Sequence, residues 1–162
     1  MRRTGQAAAY PLETILPHRA PMILIDAVEE ISEQEIRTRL TIRPSCPFFV
    51  AGKGIAAHVA IEWMAQSCAA FEGVNAADEQ RPVKIGFLLG TRSFSAALPW
   101  FTEGTALDIL ARPVYRHAGM GQFDCAVHRR EDGAELAKAQ LTVYQPEDPL
   151  SLIDGQLSGR ET

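Results

Sequence analysis

The run Ile55-Ala56-Ala57-His58-Val59-Ala60-Ile61-Glu62-Trp63-Met64-Ala65-Gln66-Ser67-Cys68-Ala69-Ala70-Phe71 decides the architecture. It holds no proline or glycine, and its Ala, Met, Gln and Glu favour a helix. Ile55, Val59, Ile61, Trp63, Met64, Ala65, Cys68, Ala69 and Phe71 put apolar side chains on most sides. That pattern describes a buried helix, not one laid on a surface. Gly73 stands where a C-cap glycine is expected. A single buried helix has to be wrapped by something, and the flanking sequence reads as strands.

Upstream, Met22 to Val28 is a short apolar run, and Glu35 to Ile42 alternates polar and apolar residues. They predict two antiparallel strands across a turn near Ser32-Glu33. Pro44 and Pro47 interrupt, and Phe48 to Gly54 reads as a glycine-bearing loop. Downstream, strands are expected near Val83–Phe94, Thr105–Arg116, Gln122–Arg130 and Glu135–Tyr144. The loop Arg116 to Gly121 and the turn containing Asp132-Gly133 join neighbours as hairpins. Two strands, a buried helix and four strands make an α+β layer arrangement. A curved antiparallel sheet around one long central helix is the hot-dog fold, whose dimers usually join sheets edge to edge and so cover an exposed edge strand.

The 162 residues suggest one domain, 1–162, with a core at about 12–145, a loose N-terminal arm and a C-terminal tail from Pro146 in which Leu150, Leu152 and Ile153 can dock locally. Hydrophobic residues make up 46% and charged residues 22%, ordinary for a globular protein. The net charge of −4 implies no basic face and argues against nucleic acid as the main partner. No apolar run approaches the ~18 residues of a membrane span, and MRRTGQAAAYPL lacks the apolar stretch of a signal peptide. Cys46, Cys68 and Cys125 fit neither a disulfide framework nor a zinc site. They read as core or strand residues of a reduced, cytoplasmic chain that needs no cofactor. The histidines are His18, His58, His117 and His128, the last two read as surface residues.

Leu16-Pro17-His18-Arg19-Ala20-Pro21, followed by an apolar strand ending in Asp26, resembles the opening motif of the 3-hydroxyacyl-acyl-carrier-protein dehydratases. Glu62-Trp63-Met64-Ala65-Gln66 resembles that family's central helix, where a catalytic carboxylate precedes Met-Ala-Gln, and Pro47-Phe48-Phe49 matches the preceding loop. The likeness covers about residues 12 to 145. One departure stands out. The family's Gly-His-Phe-Pro, which carries its catalytic histidine, is replaced by Val50-Ala51-Gly52-Lys53-Gly54 with no histidine. The loop is also about four residues shorter, and Ala56-Ala57-His58 stands in place of Pro-Gly-Val. In this the chain looks like the divergent dehydratase-like proteins of aryl polyene clusters. The resemblance implies β-hydroxyacyl thioester chemistry, at a site on a dimer interface to which one subunit brings the histidine and the other the carboxylate.

Dehydration takes a proton from C2 and hydroxide from C3 of the acyl chain. It needs a base, an acid and hydrogen-bond donors for the thioester oxygen. Glu62 is the candidate acid, because apolar surroundings favour a neutral carboxyl. The alternative is a glutamate that simply meets water. Gln66, at i+4, is placed to orient it. His58, at i−4, is either a replacement base, a helix-start residue bonded to backbone, or half of a metal site for which no third ligand appears. His18 matches a motif histidine that is not catalytic in the family and reads as structural. Gly52 and Gly54, with the amides of Ala56 and Ala57, precede a helix N-terminus, a place suited to an oxyanion, or else form a plain flexible loop. The substrate-binding assignments are thus Phe49, Gly54, Ala57 and Gln66.

The expected function is a dehydratase acting on acyl-carrier-protein-bound acyl thioesters, as a homodimer or with another hot-dog subunit that supplies the missing histidine. The alternatives are a hot-dog acyl thioesterase, with Glu62 as base, and a non-catalytic acyl-binding subunit. A carrier protein is acidic, so Arg81, Lys84, Arg92, Arg112 and Arg116 are the candidates to meet it.

Overall fold

The structure is a computed structural model and describes residues 10–147. The arm before Tyr10 and the tail from 148, with Leu150, Leu152 and Ile153, lie outside the described residues. A short helix α1 (Leu12–Ile15) precedes strands β1 (Ala27–Ile31) and β2 (Ile36–Thr41). A two-residue strand β3 (Ile55–Ala56) and a 3-10 turn (Ala57–Val59) lead into the long helix α2 (Ala60–Asp78). Strands β4 (Phe87–Ala96), β5 (Trp100–Phe101), β6 (Ala106–His117), β7 (Met120–Arg129) and β8 (Glu135–Tyr144) follow.

Six strands form one antiparallel sheet in the order β1-β2-β6-β7-β8-β4, and β3 pairs with β5 apart from it. The sheet wraps α2, as expected of a hot-dog fold. Alternation along the strands aims Ile36, Leu40, Leu107, Ile109, Phe123, Val127 and Leu141 at Trp63, Met64 and Phe71, all buried. Trp63 packs at a tilt of 55° against Phe101, with 5.0 Å between ring centroids, and Phe71 meets Phe123 edge-on at 6.1 Å. One polar tie crosses this core. Thr38 and Ser67 share a hydrogen bond of 2.7 Å, and the Ser67 hydroxyl also donates to the Trp63 carbonyl. Both hydroxyls are therefore satisfied where burial would otherwise penalise them.

The structure departs from the sequence reading at several places, among them strand β4, which runs Phe87–Ala96 and not Val83–Phe94, and four others have a local cause. The first strand begins at Ala27, not Met22, because Met22 and Leu24 give their backbone groups to the Gln66 side chain. The helix runs past Gly73 to Asp78, so Gly73 is not its C-cap. A Cβ at Gly73 would lie 1.9 Å from the Ile15 carbonyl oxygen, so the glycine marks where α1 crosses α2. The helix also starts at Ala60, not Ile55, because Ile55 and Ala56 pair with Phe101 and Trp100. The loop expected at Arg116–Gly121 is a tight two-residue turn. Ala118 and Gly119 both have positive φ, the backbone sense that matches the twist of a hairpin.

Strand β4 is the outer edge beside β8, and nearly all of its residues are exposed. Ile85, Phe87, Leu88 and Leu89 are exposed large apolar residues at its start.

Candidate active site

Glu62 sits in the first turn of α2 and opens onto a cleft of about 160 Å³. The floor is the helix face Glu62, Ala65, Gln66, Ala69 and Glu72. One wall is the Pro17-His18 segment, and the other is Gly86–Leu88 with Val143–Gln145. The helical positions recur at three and four residues, so they lie on one stripe. Small Ala65 and Ala69 leave room between the two acidic ends. At the far end Glu72 accepts from Arg116 at 2.6 Å.

The surroundings of Glu62 differ from the expected apolar burial. Its side chain is 41% exposed, and its closest charged neighbour is His18, with 4.0 Å between Nε2 and Oε1. Gln66 is fully buried one turn on, yet it does not orient the carboxyl. Its Oε1 accepts from the Leu24 amide at 2.8 Å, and its Nε2 donates to the Met22 carbonyl at 2.6 Å. Gln66 therefore straps the Pro17–Leu24 loop to the helix. Replacing it by Met keeps the volume and strands both backbone groups, so stability falls by about 2–4 kcal/mol. Urea unfolding checks this, and a loss below about 1 kcal/mol would mean that the strap is dispensable.

The remaining expected site residues lie before the helix and do not line this cleft. His58 is exposed on the 3-10 turn. It stands on the turn just ahead of the α-helix that begins at Ala60, and no ion pair joins it to Glu62 among the described residues. Phe49 is half-buried against the core. The Gly54 amide donates to Val50 at 2.9 Å and the Ala57 amide to Pro99 at 3.0 Å. Of the two amides assigned to an oxyanion, that of Ala57 is therefore committed inside the chain, as is that of Gly54. Gly54 is needed for another reason: its φ is +103°, and a Cβ there would lie 2.0 Å from the Phe101 carbonyl oxygen.

His18, read from sequence as structural, is the residue that the structure adds to the cleft. No local spacing points to it, because it reaches Glu62 through tertiary packing. Two of the three cysteines are core residues as expected, while Cys46 is half-buried in the loop after β2. Cys68 and Cys125 are buried with sulfurs 3.7 Å apart, and burial first, then the Cys125 thiol, pushes the Cys68 thiol well above its usual range. That makes Cys68 a poor nucleophile. Among the described residues no group of three His, Cys, Asp or Glu is placed to hold a metal ion. No helix among them is long and apolar enough to cross a membrane.

No curated protein matches the sequence. Among solved structures, the chain is similar to a chain of the dehydratase heterocomplex ApeI:P from Xenorhabdus doucetiae. The identity is 29%, the TM-score is 0.83, and 90% of this chain and 96% of that one are covered. It also shares its fold with Cj0977, a sigma28-regulated virulence protein from Campylobacter jejuni, at 14% identity and TM-score 0.60 over 85% and 89% of the two chains. A hypothetical thioesterase from Streptococcus pneumoniae TIGR4, solved with coenzyme A, matches at 14% identity and TM-score 0.55 over 73% and 83%. At these identities the last two speak for the fold alone. The sequence itself matches the ApeP-like family, described as ApeP dehydratase, over residues 10–154. With the match spanning nearly the whole chain, the protein belongs to the ApeP-like dehydratase family.

Proposed function

We propose that the chain dehydrates 3-hydroxyacyl thioesters carried on acyl carrier protein, in a fatty-acid-like or polyene-like biosynthesis, with its site completed by a second hot-dog subunit. The observation that carries this reading is the half-exposed Glu62 in a cleft whose described lining holds no histidine besides His18. Glu62 in its acid form donates a proton to the C3 hydroxyl, which leaves as water. A base removes the C2 proton, and the electron pair of that C–H bond becomes the C2–C3 double bond. The products are a 2-enoyl thioester and water. The loop at 50–54 offers no histidine for the C2 proton, so the partner supplies it.

Two features support a partner at this place. Exposed Phe87 and Leu88 belong both to the cleft wall and to the open edge of β4. A neighbouring strand there continues the sheet, hides the apolar residues and brings foreign side chains beside Glu62. The likeness to a chain of a dehydratase heterocomplex favours a different subunit over a second copy. For the carrier protein, Arg81, Arg112 and Arg116 are already paired with Glu79, Glu35 and Glu72. Lys84, on the cleft wall, has no ion pair among the described residues and is the better contact. Free thiols at Cys46, Cys68 and Cys125 suit a reducing cytoplasm.

The test is product analysis on the chain co-purified with a histidine-bearing hot-dog partner, fed a 3-hydroxyacyl carrier protein. An enoyl thioester supports the reading. Release of free thiol instead identifies a thioesterase, and binding without turnover identifies an acyl-binding subunit. Normal turnover by the chain alone sinks the shared site.

A further inference from the structure

Three observations make the approach of His18 to Glu62 more than proximity. The first is geometric: Nε2 of His18 faces Oε1 of Glu62 at 4.0 Å inside the cleft. The second is that the loop carrying His18 is pinned on both sides. The Arg19 guanidinium donates to the Leu16 carbonyl at 3.2 Å and to the His18 carbonyl at 2.8 Å. The Met22 amide closes a turn onto the Arg19 carbonyl, and Gln66 straps Met22 and Leu24 to the helix. The third lies on the other edge of the ring. Nδ1 of His18 is buried and has no hydrogen-bond partner.

That last observation selects a tautomer. A proton on Nδ1 would leave a buried N–H with nothing to donate to, and orphaned buried N–H groups are rare because they are costly. The neutral ring instead keeps a bare lone pair at Nδ1 and carries its proton on Nε2, the edge that faces Glu62. A separation of 4.0 Å is long for a finished hydrogen bond, but catalytic contacts in unliganded sites commonly tighten when substrate is seated. Glu62 is half-exposed and free to make the small movement needed.

We propose that His18 is a positioning residue for Glu62: its Nε2–H engages Oε1 and leaves Oε2 as the proton-bearing oxygen that faces the C3 hydroxyl. This is the orienting role that spacing alone gave to Gln66. It rests on the reading of Glu62 as the acid. It also takes His18 out of contention as the C2 base, since the nitrogen that points into the cleft is the protonated one.

The test has two arms. The first is nitrogen NMR of the intact chain with labelled histidine, with the His18 signals assigned by their loss in His18→Gln. The expected result is an Nε2-protonated ring whose Nε2 signal moves in Glu62→Gln. An Nδ1-protonated ring, or a signal indifferent to Glu62→Gln, overturns the proposal. The second arm is turnover of the full complex. His18→Ala lowers kcat by about 10- to 100-fold and leaves KM within about twofold, as expected of a misplaced catalytic group. His18→Gln, whose amide N–H reaches where Nε2–H stood, recovers most of that loss. A glutamine variant no better than alanine overturns the proposal. If the wild-type complex forms no enoyl thioester, the dehydratase reading fails on its own, and the NMR arm still decides whether His18 holds Glu62. That arm also decides the matter if His18→Ala unfolds.

Discussion

Glu62→Gln abolishes dehydration, lowering kcat by about 10²- to 10⁴-fold, the range set by removing a general acid. The substitution keeps the length and shape of the side chain and removes only the transferable proton. The folded state hardly notices, because Glu62 is 41% exposed and its one ion pair among the described residues is the long contact to His18. Surface changes of this kind stay within about 0.5 kcal/mol. The diagnostic result is therefore a large loss of rate at an unchanged melting temperature, with the partner still bound. Substrate affinity stays close to wild type, since an acid that acts in the transition state contributes little to ground-state binding. A variant that retains more than about a tenth of the wild-type rate would remove Glu62 from the chemistry.

Gly73→Ala gives the second large effect, on stability. Two opposing terms decide its sign. Alanine is the better helix former by about 1 kcal/mol, and Gly73 lies inside α2, so propensity alone predicts a more stable protein. Against this, the new Cβ would lie 1.9 Å from the Ile15 carbonyl oxygen and 2.7 Å from its carbonyl carbon. The obstacle is backbone, so it cannot swing aside as a side chain would. Overpacking costs about 1–3 kcal/mol even where neighbours can yield. The clash wins, and the net loss is about 2 kcal/mol, or roughly 4–8 °C in melting temperature for a chain of this size. Ile15 and Leu16, both buried, have to move for the methyl to fit, and they lead directly into the His18 loop. Activity therefore falls further than stability alone explains. An unchanged or raised melting temperature would mean that α1 does not cross α2 so closely.

What was legible from sequence is what repeats. Strands β6, β7 and β8 are visible because Leu107, Ile109 and Ala111 alternate with Asp108, Leu110 and Arg112, and Asp132-Gly133 marks a turn. The buried helix is visible because Ile55, Val59, Ile61, Trp63, Met64, Ala65, Cys68, Ala69 and Phe71 put apolar side chains on most of its sides. Single letters with two physical meanings were not legible. Gly73 reads equally as a helix stop or as a close crossing, and only the position of Ile15 decides between them. Strands β3 and β5 have two residues each, too short for any period, and rest on the approach of Gly54 to Phe101. Glu62 was found because its neighbours in sequence form a motif. Its companion was not, because i,i+4 logic can nominate only residues of the same helix, His58 and Gln66. His18 comes to Glu62 across the fold, held by contacts of Arg19 and Gln66 that no spacing records.

The sheet order also constrains how the chain is made. Strand β4 leaves the ribosome before β6, β7 and β8, yet its only sheet neighbour is β8, the last of them. At roughly 5–20 residues per second, the stretch from Ala96 to Glu135 keeps β4 waiting for seconds. During that interval both of its edges are bare, and Phe87, Leu88 and Leu89 stand open to any nascent neighbour. Irregular pairing at Leu88/Gly90 and Arg92/Ser95, with Ser93 at positive φ, breaks the strand into short regular pieces. Interruptions of that kind guard against indiscriminate strand addition. They let the segment wait unpaired for β8 without seeding aggregates.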